Sequence, residues 1–466
     1  MADDGITEVL RQAADAAARY REGVGDRRVP AELDVHALRG LVDADLAPKG
    51  EPAVEVVRDL AELGERGTVA TTGPRYFGFV TGGTLPAAVG ADVLAAAWDQ
   101  NAGLAVLSPL ASVLEERAGA WILDLLGLPA SGSIGFVTGG QMANTTCLLV
   151  GRDHVLGAAG WDVRAAGLTG APKVHVLVGE ERHTTVDASL RTLGLGAPDV
   201  LVPVDDQGRM RPDALATALA DLEGPTIVAL QAGHIVSGAF DPFAELIPIA
   251  HEHGAWVHVD GAFGGWAAAS PRHRARTEGM AGADSWAVDG HKVLNVPYDC
   301  GYAMTAHPAS HRTSCLSTAS YLVSEGGADA PRDGLDWTLD LSRRARGVPS
   351  YAALRSLGRD GVGAMVDRLG RMAERFAERL QDEPGIDVVN DVVFDQCAVR
   401  FGDDDAHTAA VIAAVQDEGT CWAGPATWKG KAVMRLSVSS WATTEADVDR
   451  SAEAIVRCHR AVTASA

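Results

Sequence analysis

The chain has 466 residues, 47% of them hydrophobic and 22% charged, which is the balance of a soluble globular protein and too long for one core at about 100–200 residues per domain. Its formal net charge of -22 repels phosphate backbones, so nucleic acid is not an expected partner. Six cysteines at positions 147, 300, 315, 397, 421 and 458 form no C-x-x-C pair, so neither a zinc site nor a disulfide framework is implied, and a reducing, cytoplasmic compartment is expected.

From the N-terminus, Asp3, Asp4 and Glu8 without an apolar run argue against a secretory signal. No stretch of about 18 apolar residues is free of charges and turn formers, so no membrane span is expected. Ile6 to Tyr20 reads as an amphipathic helix with Ile6, Leu10, Ala13, Ala14 and Ala17 on one stripe, and Ala53 to Glu65 as another. This segment is too small to bury a core of its own and is expected to pack on another domain or subunit. Gly135 to Asn144 is a glycine-rich turn before a helical run, Met142 to Gly151. Small residues there let the backbone approach an anion, and the helix supplies free N–H groups. The turn has neither the Walker lysine nor the G-x-G-x-x-G spacing.

Strand and helix signals then alternate. Lys173 to Val178, Val200 to Val204, Thr226 to Gln231 and Trp256 to Asp260 are short apolar, β-branched runs. Thr185 to Leu193, Arg211 to Leu222 and Pro242 to His253 are helical between them. That rhythm predicts an α/β fold with a mostly parallel central sheet covered by helices, whose ligands sit at the carboxyl ends of the strands. Ser324 to Asp336, rich in Gly, Ala, Asp and Pro, reads as a mobile loop. Helix from Tyr351 through Leu380, strands at Ile386 to Val389, Cys397 to Phe401 and Val433 to Val438, and a last helix from Thr444 compose a small C-terminal α+β domain. The expected division is an N-terminal helical segment over 1–80, a large domain over 81–345 and a small domain over 346–466.

Two polar residues that close apolar runs carry the chemistry. Asp260 ends a strand, and Lys292 lies between Ser285 to Val288 and Val293 to Pro297 in the tetrapeptide Asp289-Gly290-His291-Lys292. A buried lysine has a lowered pKa and attacks aldehydes, and a carboxylate beside a pyridine ring favours its protonated nitrogen. Together they are suited to pyridoxal 5'-phosphate (PLP), lysine as Schiff base and Asp260 on the ring nitrogen. His183 is placed to stack on such a ring or to hydrogen-bond a substrate carboxylate. His291 either contacts the phosphate or completes a turn, and Ser285 is a further phosphate candidate. Arg435 would clamp a substrate carboxylate or serve a structural ion pair. No metal ligand set is read.

On these motifs, from Arg75 to Phe79 through Ser342 to Arg344 and Met434 to Leu436, the chain resembles the group II PLP-dependent amino acid decarboxylases of the aspartate aminotransferase fold (fold type I). The resemblance implies a PLP-dependent carbon–carbon lyase. Lys292 is then the Schiff-base lysine, Asp260 the ring-nitrogen partner and His183 the stacking base. Ala262 is the small residue packed against the ring, Gly139, Gly140 and Gln141 form the phosphate turn, Ser285 and His291 make further cofactor contacts, and Phe79 and Thr81 wall the substrate pocket. It also implies a homodimer with active sites near the interface and the N-terminal helices wrapped on the partner. Two departures stand out. Gly334 falls about where the family carries a loop tyrosine that protonates the substrate carbon, with Tyr321 the nearest substitute. Gly139 to Met142 and His234 to Ser237 replace more polar clusters, as in an enzyme of secondary metabolism. The expected reaction is decarboxylation at Cα of an L-amino acid or amino-acid conjugate. The alternatives are oxygen-dependent decarboxylation to an aldehyde, β-elimination of an S-conjugate or transamination, and a catalytically dead scaffold.

Overall fold

A computed structural model describes residues 5–42, 45–316 and 331–465. Seven strands form the large sheet: β1 (Ser133–Val137), β2 (His175–Gly179), β3 (Val200–Val202), β4 (Thr226–Gln231), β5 (Trp256–Asp260), β6 (Ser285–Asp289) and β7 (Gly301–Thr305). Their spatial order is β1-β7-β6-β5-β4-β2-β3. The strand β7 runs antiparallel to both neighbours, and the pairs among β2 to β6 are parallel. Strands β1, β5, β6 and β7 are buried along their whole length, which explains why their sequences show no inside–outside alternation. The chain has fold type I architecture, as expected.

The small sheet, order β10-β11-β9-β8, is antiparallel: β8 (Ile386–Val388), β9 (Gln396–Phe401), β10 (Gly424–Trp428) and β11 (Lys431–Ser437). Lys429 and Gly430, with φ 51° and 74°, make the two-residue hairpin between β10 and β11, a geometry whose twist matches paired strands. The helix Gly347–Leu380 precedes this sheet and is interrupted at Gly358, with φ 64°. In the N-terminal segment the helices Ile6–Gly23 and Ala53–Gly67 bury no residue, and Ile6, Leu10, Val56 and Leu60 stay exposed.

One expectation is corrected here. The loop proposed over Ser324 to Asp336 is described only from Pro331 onward, and Tyr321 lies outside the described residues. The described part is packed: Asp333 accepts from the Ala105 N–H at 2.8 Å, Ser112 Oγ donates to the Arg332 carbonyl at 2.6 Å, and Gly334–Trp337 is a short 3-10 turn. Gly334 is buried, and a Cβ there would collide with the Ala102 carbonyl and the Arg343 guanidinium. The position is filled by backbone and Arg343, so it offers no place for a side chain in the cleft. In this described part, Arg332 lies 3.8 Å from buried Glu115 and Asp336 accepts from Arg312 at 2.9 Å, which ties down charges that read as solvated.

Candidate active site

Because β1, β2, β4, β5 and β6 share one direction, the residues just past their carboxyl ends meet at one sheet edge. There they line a solvent-open cleft with about 420 Å³ of empty space. Gly140, Gln141, His183, Asp260, Ala262 and Lys292 share its wall, with Asp289 among them.

Asp260 is buried at the end of β5, and its Oδ1 accepts from the Ala262 N–H at 3.2 Å. Its other oxygen accepts from Asn144 Nδ2 at 3.0 Å. The chain of bonds behind it has one consistent direction. Trp256 Nε1–H can only donate, and does so to Ser285 Oγ at 2.9 Å; the Ser285 hydroxyl then donates to His258 Nδ1 at 3.0 Å. His258 Nε2–H donates to Asn144 Oδ1 at 2.8 Å, and the Asn144 amide donates to Asp260. Burial holds His258 down to about 3, so it is neutral. Every hydrogen in this buried relay thus points toward the carboxylate. Replacing Asp260 by asparagine is expected to cost about 1.5–3 kcal/mol of a charge-assisted hydrogen bond, or roughly ten- to more than a hundredfold in kcat/KM. Steady-state kinetics at saturating PLP checks this; a loss under threefold would show that no charge is needed there.

Ser285 corrects a second expectation. It is fully buried at the start of β6, the end of the strand away from the cleft, and its hydroxyl is engaged by His258 and Trp256. It supports Asp260 from behind and does not reach the phosphate turn.

The turn of Gly139, Gly140 and Gln141 follows β1. The helix Gly140–Ala158 begins there with no side-chain cap, leaving first-turn N–H groups free. A Cβ on Gly139 would lie 2.8 Å from His291 Cε1, and one on Gly140 2.8 Å from Asp289 Oδ2. Glycine is required because β6 and its following turn pass directly beneath.

Lys292 follows β6 by three residues. Its Nζ lies 2.8 Å from Asp289 Oδ2, and Asp289 is 1% exposed with Oδ1 lacking any hydrogen-bond partner. Burial pulls the ammonium pKa down, but the charge and hydrogen bond of Asp289, together with Asp260, outweigh it and hold it above its ordinary value. The expected lowered lysine pKa is therefore reversed by its carboxylate neighbours. The turn is fixed by Asn295 in a left-handed conformation (φ 56°), whose amide bonds Val293 and Ser439 carbonyls and whose Oδ1 accepts from the Gly83 and Trp441 N–H groups. His291 Nδ1 accepts from the Cys300 N–H at 3.1 Å, and its Nε2 lies 3.4 Å from Asp289 Oδ1 without a hydrogen bond. The His291 ring stacks on Tyr298 at 4.2 Å.

His183 caps the helix Thr184–Thr192, accepting the Thr185 N–H on Nδ1 at 3.3 Å. Burial lowers its pKa, only partly opposed by Asp260, so the ring is neutral with its proton on Nε2. Thr81 is partly buried and pairs with the Tyr298 hydroxyl. Phe79 is not brought to the cleft: it is 68% exposed and stacks on Trp422 at 5.5 Å, because the φ of 55° turns it outward. Arg435 is partly buried on β11, donates to the Ile235 carbonyl at 3.1 Å, and has no ion-pair partner among the described residues. Ile235 itself lines the cleft. His234, beside it, accepts the Ser237 N–H on Nδ1 and directs Nε2 to Glu181 at 3.2 Å, and Glu181 also accepts from Trp428 Nε1 at 2.9 Å, tying this turn to the small domain. Sequence reading missed Asn144, Asp289, Asn295 and Tyr298. Only Asp289 carried a signal, as the acid opening the lysine tetrapeptide.

An uncapped helix N-terminus, an amine, and a carboxylate aligned by a directional relay suit a ligand bearing phosphate, aldehyde and a basic ring nitrogen. Residues 36–401 match the family model described as the pyridoxal-dependent decarboxylase conserved domain. The chain belongs to the pyridoxal-dependent decarboxylases. Its cofactor is PLP and its class that of a PLP-dependent lyase. Among curated relatives of this chain is L-2,4-diaminobutyrate decarboxylase of Rhizobium meliloti (strain 1021), 33% identical over 71% of this chain and 66% of that enzyme. Another is the acidic amino acid decarboxylase GADL1 of Bos taurus, 27% identical over 82% and 73% of the two chains. The fold is similar to that of Oryza sativa TDC solved with PLP and tryptamine (TM-score 0.90, 23% identity, 99% of both chains). It is also similar to mouse CSAD (TM-score 0.89, 21% identity, 98% and 99% of the chains). Among the described residues, no helix of this decarboxylase is long and apolar enough to cross a membrane.

Proposed function

We propose that this protein decarboxylates an L-amino acid or amino-acid conjugate at Cα. The observation that carries the reading is the convergence of Lys292 and Asp260, from neighbouring parallel strands, on one cleft beside an uncapped helix N-terminus. PLP, when bound, supplies an electron sink for the bond broken at the substrate α-carbon. Lys292 would hold its aldehyde carbon, Asp260 its ring nitrogen, and the turn of Gly139, Gly140 and Gln141 its phosphate, with Ala262 against the ring and His291 supporting from below. His183, neutral and with Nε2–H free, would stack on the ring and steady the substrate carboxylate.

Arg435 is the substrate anchor in this reading, with Thr81 on the wall beside it. It spends a donor on Ile235 and keeps others unused, and burial strengthens what they bind. Arg435→Lys is expected to raise KM by roughly ten- to a hundredfold, the loss of about 1.5–3 kcal/mol in a bidentate charged contact, with a smaller change in kcat. An unchanged KM would return Arg435 to a structural role.

The aldehyde-forming alternative is motivated by Gly334, which is packed against the Ala102 carbonyl and Arg343, and among the described residues nothing lining the cleft favours it over decarboxylation. The exposed apolar N-terminal helices support a homodimer in which they wrap the partner, and the acidic, cysteine-reduced composition supports a cytoplasmic enzyme. The three-part division at 80/81 and 345/346 fits this arrangement. The test is a panel of acidic, basic and aromatic amino acids incubated with PLP-loaded protein, with and without air. The expected result is carbon dioxide plus the corresponding amine, with no oxygen uptake. Retention of the carboxyl carbon in every product would overturn the reading.

A further inference from the structure

We infer that Asp289 is a positioning residue that governs cofactor capture, holding Lys292 in an ion pair beneath the phosphate turn of the cofactor-free protein and yielding it when PLP arrives. The inference rests on the proposed role of Lys292.

The geometry places one carboxylate in two competing roles. Asp289 Oδ2 is 2.8 Å from Lys292 Nζ; the carboxylate itself is almost closed to water, while the lysine faces the open cleft. The same side chain lies under Gly139 and Gly140, where a Cβ on either would press against it. Among the described residues its Oδ1 has no hydrogen-bond partner, and the His291 ring nitrogen lies 3.4 Å away. Asp289 Oδ2 thus sits beside the start of the helix Gly140–Ala158, a negative charge at the positive end of the helix dipole. A phosphate entering the same turn meets that carboxylate as a like charge.

The lysine is affected in the same direction. Bond formation between the Lys292 nitrogen and an aldehyde carbon requires the neutral amine: the ammonium first gives one proton to solvent, and the condensation then releases one water. The groups facing Lys292 are Asp289 from β6, Asp260 from β5, His183 after β2, and Tyr298 and His291 on its own turn, with Asp395 and Arg435 of the small domain farther off. Of these, Asp289 is the carboxylate in direct contact. It holds the lysine protonated, so capture slows as pH falls and speeds as pH rises toward the lysine's raised pKa. Removing an opposite charge at this distance lowers an amine's pKa by about 1–3, which is roughly ten- to a thousandfold more neutral amine at a given pH.

The experiment strips the full-length protein of cofactor and mixes it with PLP across a pH series, following growth of the visible band in a stopped-flow spectrometer. Asp289→Asn keeps the shape and loses the charge. It is expected to capture PLP at least about tenfold faster at pH 7, with the pH midpoint of capture displaced downward and a tighter equilibrium affinity. Asp289→Ser serves if the amide variant does not fold, as read by circular dichroism. A capture rate and midpoint equal to those of the parent, or slower capture, overturns the inference. If the parent itself forms no band, the proposed role of Lys292 fails instead.

Discussion

Lys292→Ala is expected to abolish the visible band of the lysine-bound cofactor and to reduce turnover to less than roughly a thousandth of the parent's, within the range of about 10²–10⁴ that a single positioned catalytic group contributes. Among the described residues Lys292 is the one lysine lining the cleft, so no second lysine there takes over its bond to the aldehyde. Truncation also strands Asp289, which would keep a buried charge with no partner. A loss of activity could thus come from a loss of fold, and the two are separable. Lys292→Ala/Asp289→Asn removes both charges together, so its melting temperature is expected to exceed that of Lys292→Ala while its activity stays absent. PLP should remain bound non-covalently through the Gly140 turn and Asp260, and be lost on gel filtration where the parent retains it. Wild-type turnover in either variant would remove the lysine from the mechanism.

That Asp260 and Lys292 were legible without coordinates has a physical origin. Each ends or interrupts an apolar run, and a charge in such a place has to be used or paired. The strands Thr226–Gln231 and Trp256–Asp260 are found with the boundaries read from sequence, because β4 and β5 lie inside the sheet and carry apolar, largely β-branched residues. Elements without that signal were missed. Gly301–Thr305 has no β-branched residue before its last, and it runs antiparallel between β1 and β6. Gly424–Trp428 contains Pro425, tolerated because β10 is an edge strand. The helices Pro86–Trp98 and Pro109–Leu125 begin with prolines that read as breakers but stand at the first helical position, where a missing N–H costs nothing. Around the site, contacts between strands were invisible: Asn144 reaches Asp260 across 116 positions, and Ser285 reaches His258 across 27. Serine on an apolar strand reads equally as a ligand or as a buried partner, and only the direction along β6 decides.

Glu115→Ala is expected to destabilise the fold by about 3–5 kcal/mol, the cost of breaking a buried ion pair from one side. Glu115 is 1% exposed and lies 2.8 Å from Arg343, itself buried, with Arg332 at 3.8 Å. Its removal leaves the buried Arg343 guanidinium without its contacting carboxylate and beside partly buried Arg332, with Glu116 and Asp336 the remaining acids near Arg332. Burial already pulls Arg332 down to about 10, with Glu115 opposing that shift, so the carboxylate is part of what keeps it charged. Arg343 also donates to the carbonyls of Ala102 and Phe136 at 2.8 and 2.7 Å, and Phe136 belongs to the strand that delivers the phosphate turn. The variant is therefore expected to weaken PLP retention as well as lower the urea midpoint, although position 115 lies outside the cleft. Glu115→Gln keeps the shape and part of the hydrogen bonding, and should fall between parent and alanine. Urea unfolding of the three PLP-loaded proteins, followed in parallel by far-ultraviolet circular dichroism and by the cofactor band, checks both effects. An alanine variant that unfolds at the parent's midpoint would mean that water or a neighbouring group replaces the carboxylate, and the link from this ion pair through Arg343 to β1 would fall with it.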